Sequence, residues 1–290
     1  RNAELIMKPF DNRRLTEHFI TEAIAFIRKN HQQPFFLYLP FTAPHFPVEA
    51  HPDWKGKSAN AEFGDVVEEM DTRIGEMMNT LKELGIADKT LVVFTSDNGP
   101  QPNSKHHTTA DPYRGQKWTA LEGGARVPCI IHWPEQIPAG KAYPNLAAAI
   151  DMLPTLAEAC GLDWKAPEGA PPLDGMSLWP SIVGKENAIT RSELMLWDGW
   201  AHPQAIRFGT WKLFFEKTDS MNGSNTGPVL INLSDDIRET RDLAKEHPDL
   251  IIQMKQMASQ QLQSIKKHSI PLSSDFKEPV VPAQDPSWLK

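Results

Sequence analysis

The sequence predicts an α/β protein: an open, mostly parallel sheet sandwiched by helices, followed by a smaller antiparallel α+β subdomain. Three observations carry this prediction. Short apolar runs, "PFFLYL", "TLVVFT" and "VPCIIHW", alternate with amphipathic helical patterns in the first part of the chain. After the Pro-rich stretch "KAPEGAPPLDG" the alternation stops, and strand-like segments follow one another with only turns between them. A polar helical pattern and a Pro-rich tail close the chain. The expected divisions are 1–185 for the α/β part, 186–270 for the antiparallel subdomain and 271–290 for the tail.

The elements are read in order. From Thr16, the apolar positions Phe19, Ile20, Ala23, Ile24 and Ile27 fall at helical spacing, and the helix ends near Asn30. Residues 35–39 then read as a buried strand, left by the Pro- and His-rich loop "TAPHFPVEAHPDW". The next helix has the clearest stripe: Phe63, Val66, Val67, Met70, Ile74, Met77, Met78, Leu81 and Leu84, stopped by Gly85. Residues 90–95 form a second buried strand, completing a parallel βαβ unit with a right-handed crossover. A third strand begins at Val127, and "LAAAIDMLPTLAEACG" reads as a helix. Beyond Ser192, "ELMLWDGW", "QAIRFGTWKLFFEK" and "PVLINLSD" read as antiparallel hairpins. The last helix spans about 248–267, with Ile251, Ile252, Met254 and Leu262 as packing positions.

The bulk numbers exclude some functions. A net charge of -7 opposes a general nucleic-acid binder. No apolar run is long enough to span a bilayer, so no membrane role is expected. Cys129 and Cys160 offer neither a disulfide framework nor metal spacing, and Cys129, inside an apolar run, is expected to be buried.

Ligands of open parallel sheets bind beyond the carboxyl ends of the strands. His45 in "APHFP", Asp97 with Asn98 in "SDNGP", and Lys117 in "GQKWTALEGGARVP" lie at such ends or in the loops after them. Each has a plainer explanation as well: a loop histidine bound to a backbone carbonyl, turn formers, and a solvated charge.

"PFFLYLPFTAPHFP", "TLVVFTSDNGP" and "GQKWTALEGGARVP" resemble three successive blocks of the type I sulfatases, the arylsulfatase and N-acetylgalactosamine-6-sulfatase group of the alkaline-phosphatase-like superfamily. "GTWKLFFE" and "LINLSDDIRETRDLAKEHPDL" resemble that family's C-terminal subdomain, so the likeness runs over about residues 15–255. The resemblance implies hydrolysis of sulfate esters of sugars or aryl compounds, by a formylglycine nucleophile beside a bound calcium. It matches Asp97 and Asn98 to the metal pair, His45 to the leaving-group side and Lys117 to the sulfate. A carboxylate and an amide oxygen suit a hard cation, and cationic donors suit the charge that develops on sulfate. Glu122 and Arg126 are read as braces of the loop. A periplasmic or secreted location follows from the family alone.

The chain also departs from the family. No Cys or Ser stands in a C/S-x-P-x-R context, and the family's paired N-terminal aspartates have no counterpart here. The sequence therefore reads as the C-terminal part of a sulfatase, inactive alone. An exposed sheet edge is expected to favour a second chain carrying the other half, or a homo-oligomer. Two alternatives stay open. One is a phosphatase or phosphodiesterase of the same superfamily, disfavoured because Asn98 stands where a zinc site would want an imidazole. The other is a non-catalytic module that binds sulfated glycans through Lys105, His106, His107, Arg114 and Lys117.

Overall fold

The computed structural model describes residues 5–101, 108–162, 168–198, 202–216 and 227–268. Its helices and strands are α1 Leu15–Asn30, α2 Ala61–Glu83, β1 Val92–Thr95, α3 Glu122–Ala125, β2 Cys129–His132, α4 Met152–Ala159, α5 Trp179–Ile182, β3 Glu193–Trp197, β4 Pro203–Phe208, β5 Trp211–Phe214, β6 Val229–Asn232 and α6 Pro248–His268. The chain divides into two compact units. The described residues of Arg1–Phe94, Pro102–Thr109 and Cys129–Ile137 make up one, and those of Thr95–Gln101, Ala110–Pro128 and Pro138–Lys290 the other.

In the first unit α1 packs on α2. The spacing of Ile20, Ala23 and Ile27 puts all three on one buried stripe, and Arg28 pairs with Glu83 at 2.8 Å along the exposed margin. α2 stops as its sequence dictates. Gly85 takes φ +69, its N–H donates to the Lys82 carbonyl, and the Ile86 N–H donates to that of Leu81. Both orphan carbonyls are satisfied by a reversal that glycine makes without a Cβ penalty. The loop before α2 is tied to it by Asp65, whose carboxylate accepts from the N–H groups of Gly56, Lys57 and Ser58 at 2.7–2.9 Å. Val48 and Ala50 pack with Val66, beside Phe46 and Phe63, and so seat the His45 segment on the start of α2.

Several expectations fail in this unit. Residues 35–39 belong to neither sheet. They keep a strand's period of two: Phe35 meets Phe26 of α1 at 5.8 Å between ring centroids, while Phe36 and Tyr38 are exposed. A ladder needs a neighbouring strand, and among the described residues none pairs with this segment. β1 and β2 form a two-stranded sheet, and β1 is half-buried rather than buried. Cys129 is exposed, contrary to the apolar run around it, because a two-stranded sheet covers little of its own faces. Among the described residues, these segments form no sheet wider than the β1–β2 pair.

The second unit holds the antiparallel sheet, in the order β3-β4-β5-β6. Gly209 and Thr210 join β4 to β5 in a two-residue hairpin, with Gly209 at φ +56. One sheet face, through Met195, Ile206, Leu213 and Leu230, packs on Met254, Ala258 and Leu262 of α6. Ile252 of α6, expected to pack, is exposed. The other face, through Leu196, Ala205, Phe214, Val229 and Ile231, packs on Ala120 and Leu121. Burying each of the larger side chains here contributes about 1.5–3 kcal/mol, so the loop that carries Lys117 is anchored by the sheet core itself. α4 is shorter than its apolar pattern: Pro154 is tolerated only in a first turn, so the helix starts at Met152. The Asp151 carboxylate, paired with Arg191, accepts from Ala148 N–H at 2.9 Å just before it. The expected tail, 271–290, lies outside the described residues.

Candidate active site

The turn leaving β1 is closed by its own side chains. Ser96 Oγ donates to the Asn98 carbonyl at 3.2 Å, and Asn98 Nδ2 to that of Gly99 at 3.2 Å. Two backbone bonds then join this turn to residues 114–124, and a third closes that loop on itself. Gly99 N–H donates to Gly124 O at 2.9 Å, Lys117 N–H to Pro100 O at 2.9 Å, and Gly123 N–H to Arg114 O at 2.7 Å. The approach is too close for side chains: a Cβ on Gly99 would stand 1.8 Å from Gly123 O, and one on Gly124 2.3 Å from the carbonyls of Gln116 and Thr119. Glycine is required here by contact, and the two sequence blocks become one interlocked backbone.

Lys117 and Trp118 occupy the centre of a four-residue turn in which Thr119 N–H donates to Gln116 O at 3.1 Å. Trp118 has φ +74. That angle at the third turn position is the preference of glycine, and a bulky residue held there costs on the order of 1–3 kcal/mol. Lys117 is half-buried, with Nζ 5.7 Å from the centroid of the Trp118 ring.

Beneath this loop is a buried charge cluster. Glu122, Lys212 and Glu239 are all fully buried or nearly so. Lys212 Nζ lies 3.0 Å from Glu122 Oε1 and 2.8 Å from Glu239 Oε1, the latter without an aligned hydrogen bond. Glu239 Oε2 accepts from Glu122 N–H at 2.7 Å, and the Glu239 carbonyl from Arg114 Nη1 at 2.8 Å. Arg207 is the cross-strand partner of Lys212 and reaches Glu122 Oε2 at 3.5 Å. Two cations opposed across a strand pair would repel; Glu122 offsets both. Burial acts to raise the Glu122 carboxyl, but the charges of Lys212 and Arg207 outweigh it and hold it below the usual carboxylate range. Burial wins at Glu239, which is raised despite Lys212. Glu122 thus braces the loop as expected, while Arg126, more exposed, lies 4.8 Å over the Tyr113 ring.

Of the residues singled out by sequence, Asp97, Asn98 and Lys117 lie in the second unit, joined through the backbone bonds above. Asp97 is exposed and Asn98 half-buried. His45 is exposed in the first unit, with Nδ1 2.9 Å from the Phe46 carbonyl. A carbonyl only accepts, so Nδ1 is the donor there and Nε2 is the nitrogen that can take up or release a proton. Lys105, His106 and His107 lie outside the described residues, and Arg114 is engaged with Glu239. Lys212 and Glu239 were not foreseen. Their signal was a lysine sharing a strand face with Phe214 in "TWKLFFE", where alternation alone puts Lys212 on the core side.

Asp97 and Asn98 offer a carboxylate and an amide oxygen, right in kind for calcium. Calcium takes about 6–8 oxygen ligands, and among the described residues no group of three or more His, Cys, Asp or Glu is placed to hold a metal.

An oxygen-donor pair and a cation thus stand on two segments joined through their backbones. A family model described as Sulfatase matches residues 2–162. Over 264 residues the chain is 33% identical to N-acetylgalactosamine-6-O-sulfatase of Bacteroides thetaiotaomicron, covering 84% of this chain and 50% of that protein. It is 35% identical over 227 residues to human steryl-sulfatase, covering 74% of this chain and 38% of that one. A B. thetaiotaomicron sulfatase structure described in connection with glycosaminoglycan metabolism superposes with a TM-score of 0.76 at 30% identity, over 89% of this chain and 55% of that one. The chain belongs to the sulfatase family of sulfuric ester hydrolases. It spans half or less of the length of these curated relatives.

Proposed function

We propose that this chain forms the metal-binding and sulfate-binding part of a sulfatase site acting on sulfate esters, with sulfated carbohydrate as the preferred substrate class. The observation that carries this reading is the backbone fusion of the Asp97–Asn98 turn with the Lys117 loop. It ties the backbone that carries two oxygen donors to the backbone that carries a cation. The carbohydrate assignment leans on the relative named N-acetylgalactosamine-6-O-sulfatase, matched over most of the chain.

In this reading Asp97 and Asn98 would hold calcium, whose positive charge would offset the negative charge of the sulfate oxygens. This reading also requires further calcium ligands and a formylglycine nucleophile, for which no C/S-x-P-x-R motif stands among these 290 residues. Lys117 donates to a sulfate oxygen and stabilises the charge that builds there as the ester bond lengthens. His45 gives its Nε2 proton to the leaving oxygen while Nδ1 stays on the Phe46 carbonyl, which holds the ring in one orientation. In the complete domain, residues 35–39 and β1 take their places in one parallel sheet between helices, with β3–β6 as the appended antiparallel subdomain.

The test is Asp97→Ala in the complete protein, with bound calcium measured by titration calorimetry beside turnover of a sulfated saccharide. Calcium and activity are expected to be lost together. Unchanged calcium stoichiometry would sink the assignment.

A further inference from the structure

We infer that the exposed indole of Trp118 is a stacking platform for a pyranose ring of a sulfated saccharide, set beside the ammonium that holds its sulfate; the inference rests on the reading of Lys117 above.

Local physics opposes a tryptophan here. The turn from Gln116 to Thr119 is closed by the Thr119 N–H and by Thr119 Oγ1, which donates to Gln116 O at 2.7 Å. Its third residue has positive φ, where glycine or asparagine is easiest and a bulky side chain is an outlier. Burial does not compensate, because Trp118 remains 54% exposed. An aromatic kept for packing would be inside, as Leu121 is three residues later. Trp118 thus stands against both its backbone preference and its hydrophobicity, a combination that points to a ligand.

The surroundings define that ligand. Lys117 Nζ lies 5.7 Å from the ring centroid, and the flanking Gln116 and Thr119 are polar. Planar aryl and steroid groups call for concave apolar enclosure, which a lone indole in a polar rim does not supply. A pyranose has an apolar C–H face and a hydroxylated edge. Its face can lie on the indole while the edge stays wet and the sulfate reaches the neighbouring ammonium.

The experiment uses the complete protein and three variants, Trp118→Gly, Trp118→Phe and Lys117→Ala. The substrates are a 6-sulfated N-acetylgalactosamine-containing tetrasaccharide and a small aryl sulfate. Calorimetric binding of the desulfated tetrasaccharide and thermal melting accompany the kinetics. Trp118→Gly is expected to melt no lower than the parent, because glycine relieves the turn. It should weaken tetrasaccharide binding and raise its KM by about tenfold or more, well beyond any change with the aryl sulfate. Trp118→Phe should restore most of the loss. A lowered melting temperature with equal losses on both substrates would make Trp118 a structural residue and overturn the inference, as would unchanged tetrasaccharide binding. Lys117→Ala with full turnover would defeat the proposed function, while the binding measurement would still decide Trp118.

Discussion

Lys212 Nζ lies 3.0 Å from Glu122 Oε1, with both side chains closed off from solvent and 90 residues apart in sequence. One is on the middle of a strand in the antiparallel sheet, the other at the end of the loop that carries Lys117. Because Glu122 N–H also donates to Glu239, the loop is held by charge and by backbone at the same residue. The geometry of the candidate site is therefore set partly by the sheet beneath it.

Lys212→Met should lower stability by about 3–5 kcal/mol, since removing one partner leaves buried charge uncompensated. Pairing it with Glu239→Gln should recover part of that loss. Chemical denaturation measures both. A Lys212→Met variant as stable as the parent would mean that the cluster opens to water.

Gly99→Ala should loosen the junction between the Asp97 turn and the Lys117 loop, because the new Cβ meets the Gly123 carbonyl. The expected readout is faster amide exchange at Lys117, with a lowered melting temperature. Gly75 in the middle of α2 has open space around its Cβ position, so Gly75→Ala should instead stabilise by about 0.5–1 kcal/mol. Similar outcomes for the two would remove the steric argument.

Asp65 gives a pH dependence. Hydrogen bonds from the N–H of Ser58, and from Gly56 and Lys57, outweigh burial and hold its carboxyl below the usual range. A lowered folded value means that its contribution is complete above the ordinary aspartate pKa and fades as pH falls through the folded one. Asp65→Asn should lose stability at neutral pH and show a shallower loss in acid. Parallel acid-unfolding curves for parent and variant would contradict this.

His45→Ala and Lys117→Ala in the complete enzyme should each lose turnover by about 10²–10³-fold, as expected for groups that stabilise transition-state charge. Both side chains lie outside the buried cores, so melting temperatures should hardly move. Steady-state kinetics beside thermal melts separate the two effects.

The 290 residues by themselves should not turn over a generic aryl sulfate, with or without calcium, because no C/S-x-P-x-R motif lies among them. Turnover comparable to that of an intact sulfatase would require a nucleophile elsewhere in this chain.

The sequence by itself determined the elements whose causes are local. The stripes of α1 and α2, the Gly85 stop and the antiparallel run of the later strands follow from periodicity and turn chemistry, although "QAIRFGTWKLFFEK", read as one segment, is two strands turned at Gly209. The blocks "SDNGP" and "GQKWTALEGG" were legible as a candidate site for the same reason, since each is contiguous. Tertiary structure alone decided what depends on partners distant in sequence. Residues 35–39 have a strand's pattern, but a pattern supplies no neighbour, and Cys129 is exposed because exposure depends on what covers a strand. The glycines of the junction and the Glu122–Lys212–Glu239 cluster likewise appear only when separate segments meet. Hydrophobic periodicity acts over a few residues, whereas close approach and charge compensation are properties of surfaces that the folded chain brings together.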